Sequence, residues 1–346
     1  MRKRLSWRKS QVVSLKDIAK HCGVSVATVS KVLNGRSDIG EATRSRVLSA
    51  AAEMGYTANA AARALKTNRS YSLGIVFSDL QNSGFMHEYF ASMLNYFRIE
   101  AEKFGYDICF INNKVGRRKQ TYLQHVLYRG IDGVALICAD FQDPDIQELA
   151  CSSLPTVTLD HVFNNRTAVL SDNMRGIISL VHFAYEKGHR KIAYIHGNNT
   201  AVTDSRMTGF YKACEELQLS IPEEYVSECE YHEPNSCYQA TKKLLSLRER
   251  PSCILFSDDY AYIGGLTAIN EAGLRIPEDI SVAGYDGIPI TQSLRPQLTT
   301  IHQDSTQMGR LAAEQLIRVV RDPRSASKLP VILPVELIEG GTIGKI

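Results

Sequence analysis

From Tyr71 onward the sequence keeps one rhythm: a short apolar run, then a longer stretch with helical spacing. The strand-like runs are Leu73–Phe77, Asp107–Ile111, Gly133–Cys138 and Thr156–Leu159. After Asp172 the series starts again with Lys191–Ile195, Cys253–Phe256 and Ser281–Ala283, with helical stretches such as Arg175–Lys187 and Ala261–Ala272 between them. This alternation predicts an α/β chain, with parallel sheets flanked by helices. Two series predict two lobes. In such folds a ligand sits beyond the carboxyl ends of the strands.

The 346 residues are 44% hydrophobic and 22% charged, enough apolar mass for a sizeable core. No apolar run nears the roughly 18 residues of a membrane helix; Val134–Ala139 is among the longest. Arg2, Lys3, Arg4, Arg8 and Lys9 make the start basic, but no apolar segment of a secretory signal follows. The eight cysteines include no CxxC pair, and Cys109, Cys138 and Cys253 read as reduced core residues of a cytoplasmic protein. A membrane protein, a disulfide scaffold and a disordered tail are thereby excluded. The charge is uneven: residues 1–70 hold 14 Lys+Arg against 4 Asp+Glu, a net of +10, and the remaining 26 and 33 leave −7. A basic head on an acidic body points to a polyanion as partner; the bland alternative is a solvated basic tail.

The head is patterned. Ser14 with Asp17 three positions on is a helix start, and Leu15, Ile18, Ala19 and Cys22 recur at helical spacing. Gly23 breaks the run, Ser25 caps a second helix from Val26 to Leu33, and Asn34-Gly35 ends it. Two short helices around a glycine turn make a helix-turn-helix. A third follows over 41–54, with Val47, Leu48, Ala51 and Met54 predicted inward and Arg44 and Arg46 outward. The second helix of such a motif enters the major groove, so Ser25, Val26, Ala27, Thr28, Ser30, Lys31 and Asn34 are candidate DNA contacts. Val26 and Ala27 suit thymine methyls, and the hydroxyls suit phosphates or base edges. A small helical domain that binds protein is the alternative. Ala60 to Lys66 is barely two helical turns, marginal alone in water, so it reads either as a plain linker or as a helix formed on DNA with Leu65 as a minor-groove wedge.

"LKDIAKHCGVSVATVSKVLNG", "TRSRVLSAAAEMGY" and "NAAARALK" resemble the headpiece and hinge helix of the lactose/galactose repressor (LacI/GalR) family. The resemblance implies a homodimer on pseudo-palindromic double-stranded operator DNA, with hinge helices opening a central step through Leu65 and with Asn59 and Arg63 beside it. Gly40 stands where the family usually has a serine cap, and the 13 residues before Ser14 are an extension.

The strand ends of the body carry Ser78, Asp79, Asp140, Asp160, Asn198, Asp258, Asp259 and Asp286. Acids and amides in a cleft suit a neutral polyhydroxylated ligand, since carboxylates accept from adjacent hydroxyls. Each acid alone reads as a turn or cap residue, Asp259 above all. "DSRMTGF", "SDDYAYIGGLTAINEAGLRIPEDISVAGYDG" and "LTTIHQD" are similar to the family's effector-binding core, a relative of periplasmic sugar-binding proteins. The resemblance implies that Arg206, Asp286, Tyr231, Ser78, Asp160 and Gln303 hold an effector, with Phe85 able to stack on a ring. Asp258 replaces the family's usual Asn, and Asn82-Ser83-Gly84-Phe85 replaces its Asn-Pro-Phe turn. With Arg206 as the clear cation, a neutral sugar is expected over an anion, although the basic run 117–119 keeps an anionic ligand open.

Together these imply a three-helix headpiece plus hinge helix, then a two-lobed periplasmic-binding-protein-like core. The expected divisions are 1–13 extension, 14–58 headpiece, 59–70 hinge, 71–172 with 304–332 one lobe, and 173–303 with 333–346 the other. A transport receptor would need a signal peptide and no helix-turn-helix. An enzyme is not expected, because no P-loop, HExxH, GxSxG or strand-linked GxGxxG occurs. No cofactor, metal or membrane partner is expected, and residues 339–346 carry no leucine heptads, which favours a dimer over a tetramer.

Overall fold

The computed structural model describes residues 13–33, 35–56, 69–78, 84–115, 118–327 and 329–346. The chain divides into two compact units, residues 1–70 and 71–346.

Among its described residues the first unit holds three helices: α1 (Leu15–Cys22), α2 (Val26–Leu33) and α3 (Glu41–Glu53). Ser14 and Asp17 form the expected capping box: the Asp17 amide donates to Ser14 Oγ and the Ser14 amide donates to Asp17 at 2.9 Å. Gly23 closes α1 at φ +62, where its N–H reaches back to the carbonyls of Ala19 and Lys20. Only glycine takes that conformation without steric cost, and it lets α2 begin three residues later. Ile18, Val29 and Val47 are fully buried where the helices meet. One expected core residue is not inside. Leu48 is 47% exposed, because the buried stripe of α3 runs Val47, Ala50, Ala51 and Leu48 lies about 100° off it. Gly40 caps α3 without a side-chain bond.

The second unit contains two six-stranded sheets and a two-residue ladder. Its strands are β1 (Ser72–Phe77), β2 (Asp107–Phe110), β3 (Lys114–Val115), β4 (Arg118–Lys119), β5 (Gly133–Ile137), β6 (Thr156–Leu159), β7 (Thr167–Ser171), β8 (Ile192–His196), β9 (Val226–Glu228), β10 (Cys253–Phe256), β11 (Ser281–Asp286), β12 (Thr299–His302), β13 (Val331–Leu333) and β14 (Glu336–Ile338). The first sheet runs β13-β7-β6-β5-β1-β2, all parallel. The second runs β14-β12-β11-β10-β8-β9, parallel except for the antiparallel β12–β14 edge. Around the first lie α4 (Glu88–Lys103), α5 (Tyr122–Arg129) and α6 (Pro144–Cys151); around the second lie α7 (Asn173–Glu186), α8 (Ala201–Glu216), α9 (Pro234–Leu245) and α10 (Asp259–Glu271), with the short α11 (Pro289–Ser293) after β11. The long α12 (Ser305–Arg321) returns to pack on α4 and the first sheet.

Both faces of each sheet are covered, so the central strands are apolar throughout. In β5, Ala135 and Ile137 pack with Met93, Phe97 and Leu316 on one side, while Val134 and Leu136 pack with Val126 and Leu149 on the other. In β8, Tyr194 faces Phe210 and Leu180, and Ile195 faces Phe256 and Leu244. The chain passes between sheets three times: from β7 to α7, from β12 to α12 and from β13 to β14. The C-terminal segment closes on the second sheet, where Thr342 Oγ1 donates to the Val282 carbonyl at 2.7 Å and accepts from the Thr299 amide at 2.9 Å. Cys253 is buried in β10, as expected, but Cys109 and Cys138 are only half-buried. No helix among the described residues is long and apolar enough to cross a membrane.

Candidate functional site

On α2 of the first unit, the apolar stripe of Val29 and Val32 faces the core, leaving Ser25, Val26, Ala27 and Lys31 exposed and Thr28 and Ser30 half-buried. Ser25 is the cap: its Oγ accepts from the Thr28 amide at 3.0 Å and shares a 2.9 Å hydrogen bond with the Thr28 hydroxyl. Lys31 pairs with Asp38 at 2.6 Å, an exposed pair that water and salt weaken readily. The candidates Asn34, Asn59, Arg63 and Leu65 lie outside the described residues.

In the second unit a cavity of about 550 Å³ opens at the carboxyl ends of both sheets. Seven of the eight residues expected there line it: Ser78 after β1, Asp160 after β6, Arg206 on α8, Tyr231 after β9, Asp258 after β10, Asp286 ending β11 and Gln303 after β12. Asp140 and Asn198, also read as strand-end residues, line it too. Phe85 does not. It is 59% exposed, its ring against those of Phe77 and Phe110, so stacking on a ligand in this cavity falls to other rings. Asp79 and Arg117 lie outside the described residues.

Arg206 is the buried cation. Its Nε donates to Asn173 Oδ1 at 2.8 Å, one guanidinium N–H to the Ser257 carbonyl at 2.7 Å, and its plane lies 3.5 Å from the Tyr285 ring centroid. Asp286 sits at φ +105 and accepts from Gln303 Nε2 at 2.6 Å. Burial, only partly offset by Arg206, pushes its carboxyl up to about 6. Asp160 accepts from the Ser171 amide at 3.0 Å, and burial raises its carboxyl above the usual range. Tyr231 is held by the Asn198 side chain at its amide and by Thr203 at its hydroxyl, 2.9 Å away. Its ring fills the space that a Cβ on Gly197 would need, which is why that position carries no side chain.

The paired acids after β10 separate. Asp258, not Asp259, is the cap of α10: it accepts from the Ala261 amide at 2.8 Å, and also from the His232 amide and the Ser257 hydroxyl, both at 3.1 Å. Burial opposes its charge, but the adjacent His232 ring and these bonds outweigh it and hold Asp258 well below the ordinary carboxylate range. Asp259, expected as the cap, is the first helical residue and turns into the core, accepting from the Ile288 amide and the Thr291 and Thr300 hydroxyls at 2.7–2.9 Å. Burial, reinforced by the Asp286 charge, pushes it up to about 8.

Several lining residues were not anticipated. Phe141 and His161 stack with ring centroids 4.1 Å apart and an interplanar angle of 7°, and Tyr89, Phe90 and His232 add further rings. Their signal in the sequence is adjacency alone, since Phe141 and His161 follow Asp140 and Asp160 directly. Asn173 was hidden because an asparagine opening a helix reads as a cap. It joins the lobes instead: Asp160 binds the Ser171 amide, Asn173 Nδ2 donates to the Ser171 carbonyl at 3.3 Å, and Asn173 Oδ1 receives Arg206. One chain of hydrogen bonds thus links an acid of one lobe to the cation of the other through the β7–α7 crossover.

Residues 14–59 match bacterial regulatory proteins of the lacI family, and residues 181–343 match a periplasmic binding protein-like domain. An HTH-type transcriptional repressor PurR of Haemophilus influenzae is 32% identical over 311 residues, covering 88% of this chain and 90% of the relative. A repressor of the same name from Mannheimia succiniciproducens is 31% identical over 342 residues, covering 97% and 100%. The crystal structure of the lac repressor dimer bound to operator and the anti-inducer ONPF superposes with a TM-score of 0.81 at 25% identity, covering 96% of this chain and all of that one.

Proposed function

The chain belongs to the lacI family of bacterial regulatory proteins, which regulate transcription by binding DNA, and we propose that it is a repressor whose hold on a pseudo-palindromic operator is set by a small polar ligand in the core cleft. It acts as a homodimer in the cytoplasm, where the operator is; the lac repressor structure, a dimer on its operator, supports that assembly. Ser25, Val26, Ala27, Thr28, Ser30 and Lys31, with Asn34, read the major groove, and Asn59, Arg63 and Leu65 act at the hinge.

The observation that carries the ligand reading is the cleft: acids of both lobes face one cavity around the buried Arg206, and hydrogen bonds through a crossover join them. We assign the ligand to the neutral sugars. Asp160, Asp286 and Asn198 accept from hydroxyls, Arg206 and Gln303 donate, and Tyr231 offers a flat apolar face. The Phe141–His161 stack favours a second reading, a flat nitrogen heterocycle. A ligand touching Asp160 on one side and Arg206 and Asp286 on the other favours one lobe angle, and residues 59–70, which join the two units in sequence, pass that change to the DNA side.

Thermal-shift screening of the full chain against neutral sugars and against purine and pyrimidine bases decides the ligand class. A ligand at 100 times its Kd raises stability by about 2.7 kcal/mol. Operator affinity is then measured with and without that ligand. Wild type is expected to change about 5–150-fold, and Asp286→Ala to bind operator as before without responding. Operator affinity that does not move at saturating ligand would overturn the control, and a responding Asp286→Ala would overturn the site.

A further inference from the structure

Beside the cavity stands a side-chain cluster that the ligand reading does not use in full. His87 lies immediately before α4 in the first lobe, His232 lies between β9 and α9, and Asp286 ends β11, both in the second. One ligand atom from each lies within 4.8 Å of the other two. His87 and His232 meet edge to face with centroids 3.9 Å apart. The geometry points to a divalent transition-metal site, of the zinc class, that bridges the two lobes through His87, His232 and Asp286.

Two imidazoles and a carboxylate are the donors that zinc and its first-row neighbours take, and three protein ligands with an open fourth position are the pattern of a site that also receives water or ligand. Donors about 2.0–2.2 Å from such a metal stand about 3.3–3.6 Å apart in a tetrahedron, so atoms already within 4.8 Å of one another need to close by at most about 1.5 Å on loading. The surroundings are those of an outer shell. Asp258 Oδ2 is 3.7 Å from His232 Nδ1 and accepts from the His232 amide, while its Oδ1 accepts from the Ala261 amide, so the carboxylate is held in place beside that ring. Gln303 fixes one oxygen of Asp286 at 2.6 Å. The rings of Phe90 and Tyr260 wall His87, with centroids 5.0 and 4.7 Å from it. His87 and Asp286 are buried, and the His232 side chain is 12% exposed. His232 and Asp286 also line the cavity, so the fourth position opens onto the ligand space. The three positions are separated by 145 and 54 residues, and no metal spacing motif connects them. Because His87 belongs to one lobe and its partners to the other, the metal favours the approach of the lobes as well as the local geometry.

Cobalt(II) titrated into chelator-treated full-length protein tests this. The expected result is one equivalent bound, with the intense visible d–d bands of four-coordinate cobalt and no thiolate charge-transfer band in the near ultraviolet, and a melting midpoint that rises with cobalt concentration. His87→Ala and His232→Ala should each weaken that binding at least about a hundredfold, while His182→Ala, a surface histidine beside Glu216, should leave it unchanged. Should His87→Ala fail to fold, His87→Gln takes its place. A thiolate band would place the metal on cysteines instead. Such a band, no stoichiometric binding, or binding that survives both histidine changes would each overturn the site. None of these readouts needs DNA or a sugar, so failure here leaves the reading as a regulator standing.

Discussion

Asp258 turns toward the cleft, where its charge is held by His232 and the start of α10, while its neighbour Asp259 is pressed into the core between Gly284 and the threonines. The two acids therefore respond to pH in opposite ways. Asp259 titrates near 8 in the folded chain and near 3.8 when unfolded, so between those values the folded chain keeps a proton that the unfolded one has released. Its contribution to stability is full at low pH and is lost as pH rises toward 8, by at most about 1.4 kcal/mol per pH unit. Asp259→Asn mimics the protonated form. From pH 6.5 to 9 its melting temperature should fall less than that of wild type, and parallel curves would refute the assignment. Asp286, pushed up to about 6, acts on ligand instead. Its carboxylate is the form that accepts a sugar hydroxyl, so affinity measured by calorimetry should drop as pH goes from 7.5 to 5, and Asp286→Asn should bind weakly at every pH.

Among the elements, α2 is capped by one side chain. Ser25 satisfies the Thr28 amide at the start of the helix. Ser25→Ala should cost the headpiece about 1 kcal/mol, seen as faster hydrogen exchange in α2 with the core's melting unchanged; protection that does not change would mean the cap carries nothing. The headpiece was legible because its signals are local: a capping box, a glycine in the left-handed conformation, and stripes at helical spacing. The central strands were legible because they are buried on both faces. Seven strands were not anticipated: β3, β4, β7, β9, β12, β13 and β14. Each has five residues or fewer, and β9, β13 and β14 lie at sheet edges where one side is open, which weakens the apolar signal. The acids of the cleft were legible from their places after strands. Its rings and Asn173 were not, because their role appears only when distant segments meet.

At the scale of the whole molecule, a basic first unit and an acidic second one divide the labour. The net +10 of residues 1–70 predicts binding dominated by counterion release, with operator affinity falling by about 10³–10⁵ between 50 and 200 mM salt. A chain of residues 71–346, a compact unit by itself, should keep ligand affinity and lose the operator. A gel-shift and a calorimetric titration check both, and retained operator binding would place the DNA contacts elsewhere. The three passages between the sheets have a further consequence for synthesis. The first sheet lacks its β13 edge, and its longest covering helix, α12, until residues 305–333 have left the ribosome. All of β8 to β12 has emerged by then, and the second sheet in turn waits for β14 and the segment around Thr342, so both lobes are completed only by the last residues of the chain. Neither lobe can be cut out as one contiguous fragment, and the nascent chain carries an unfinished apolar face through most of its translation, a window in which a chaperone has surface to hold.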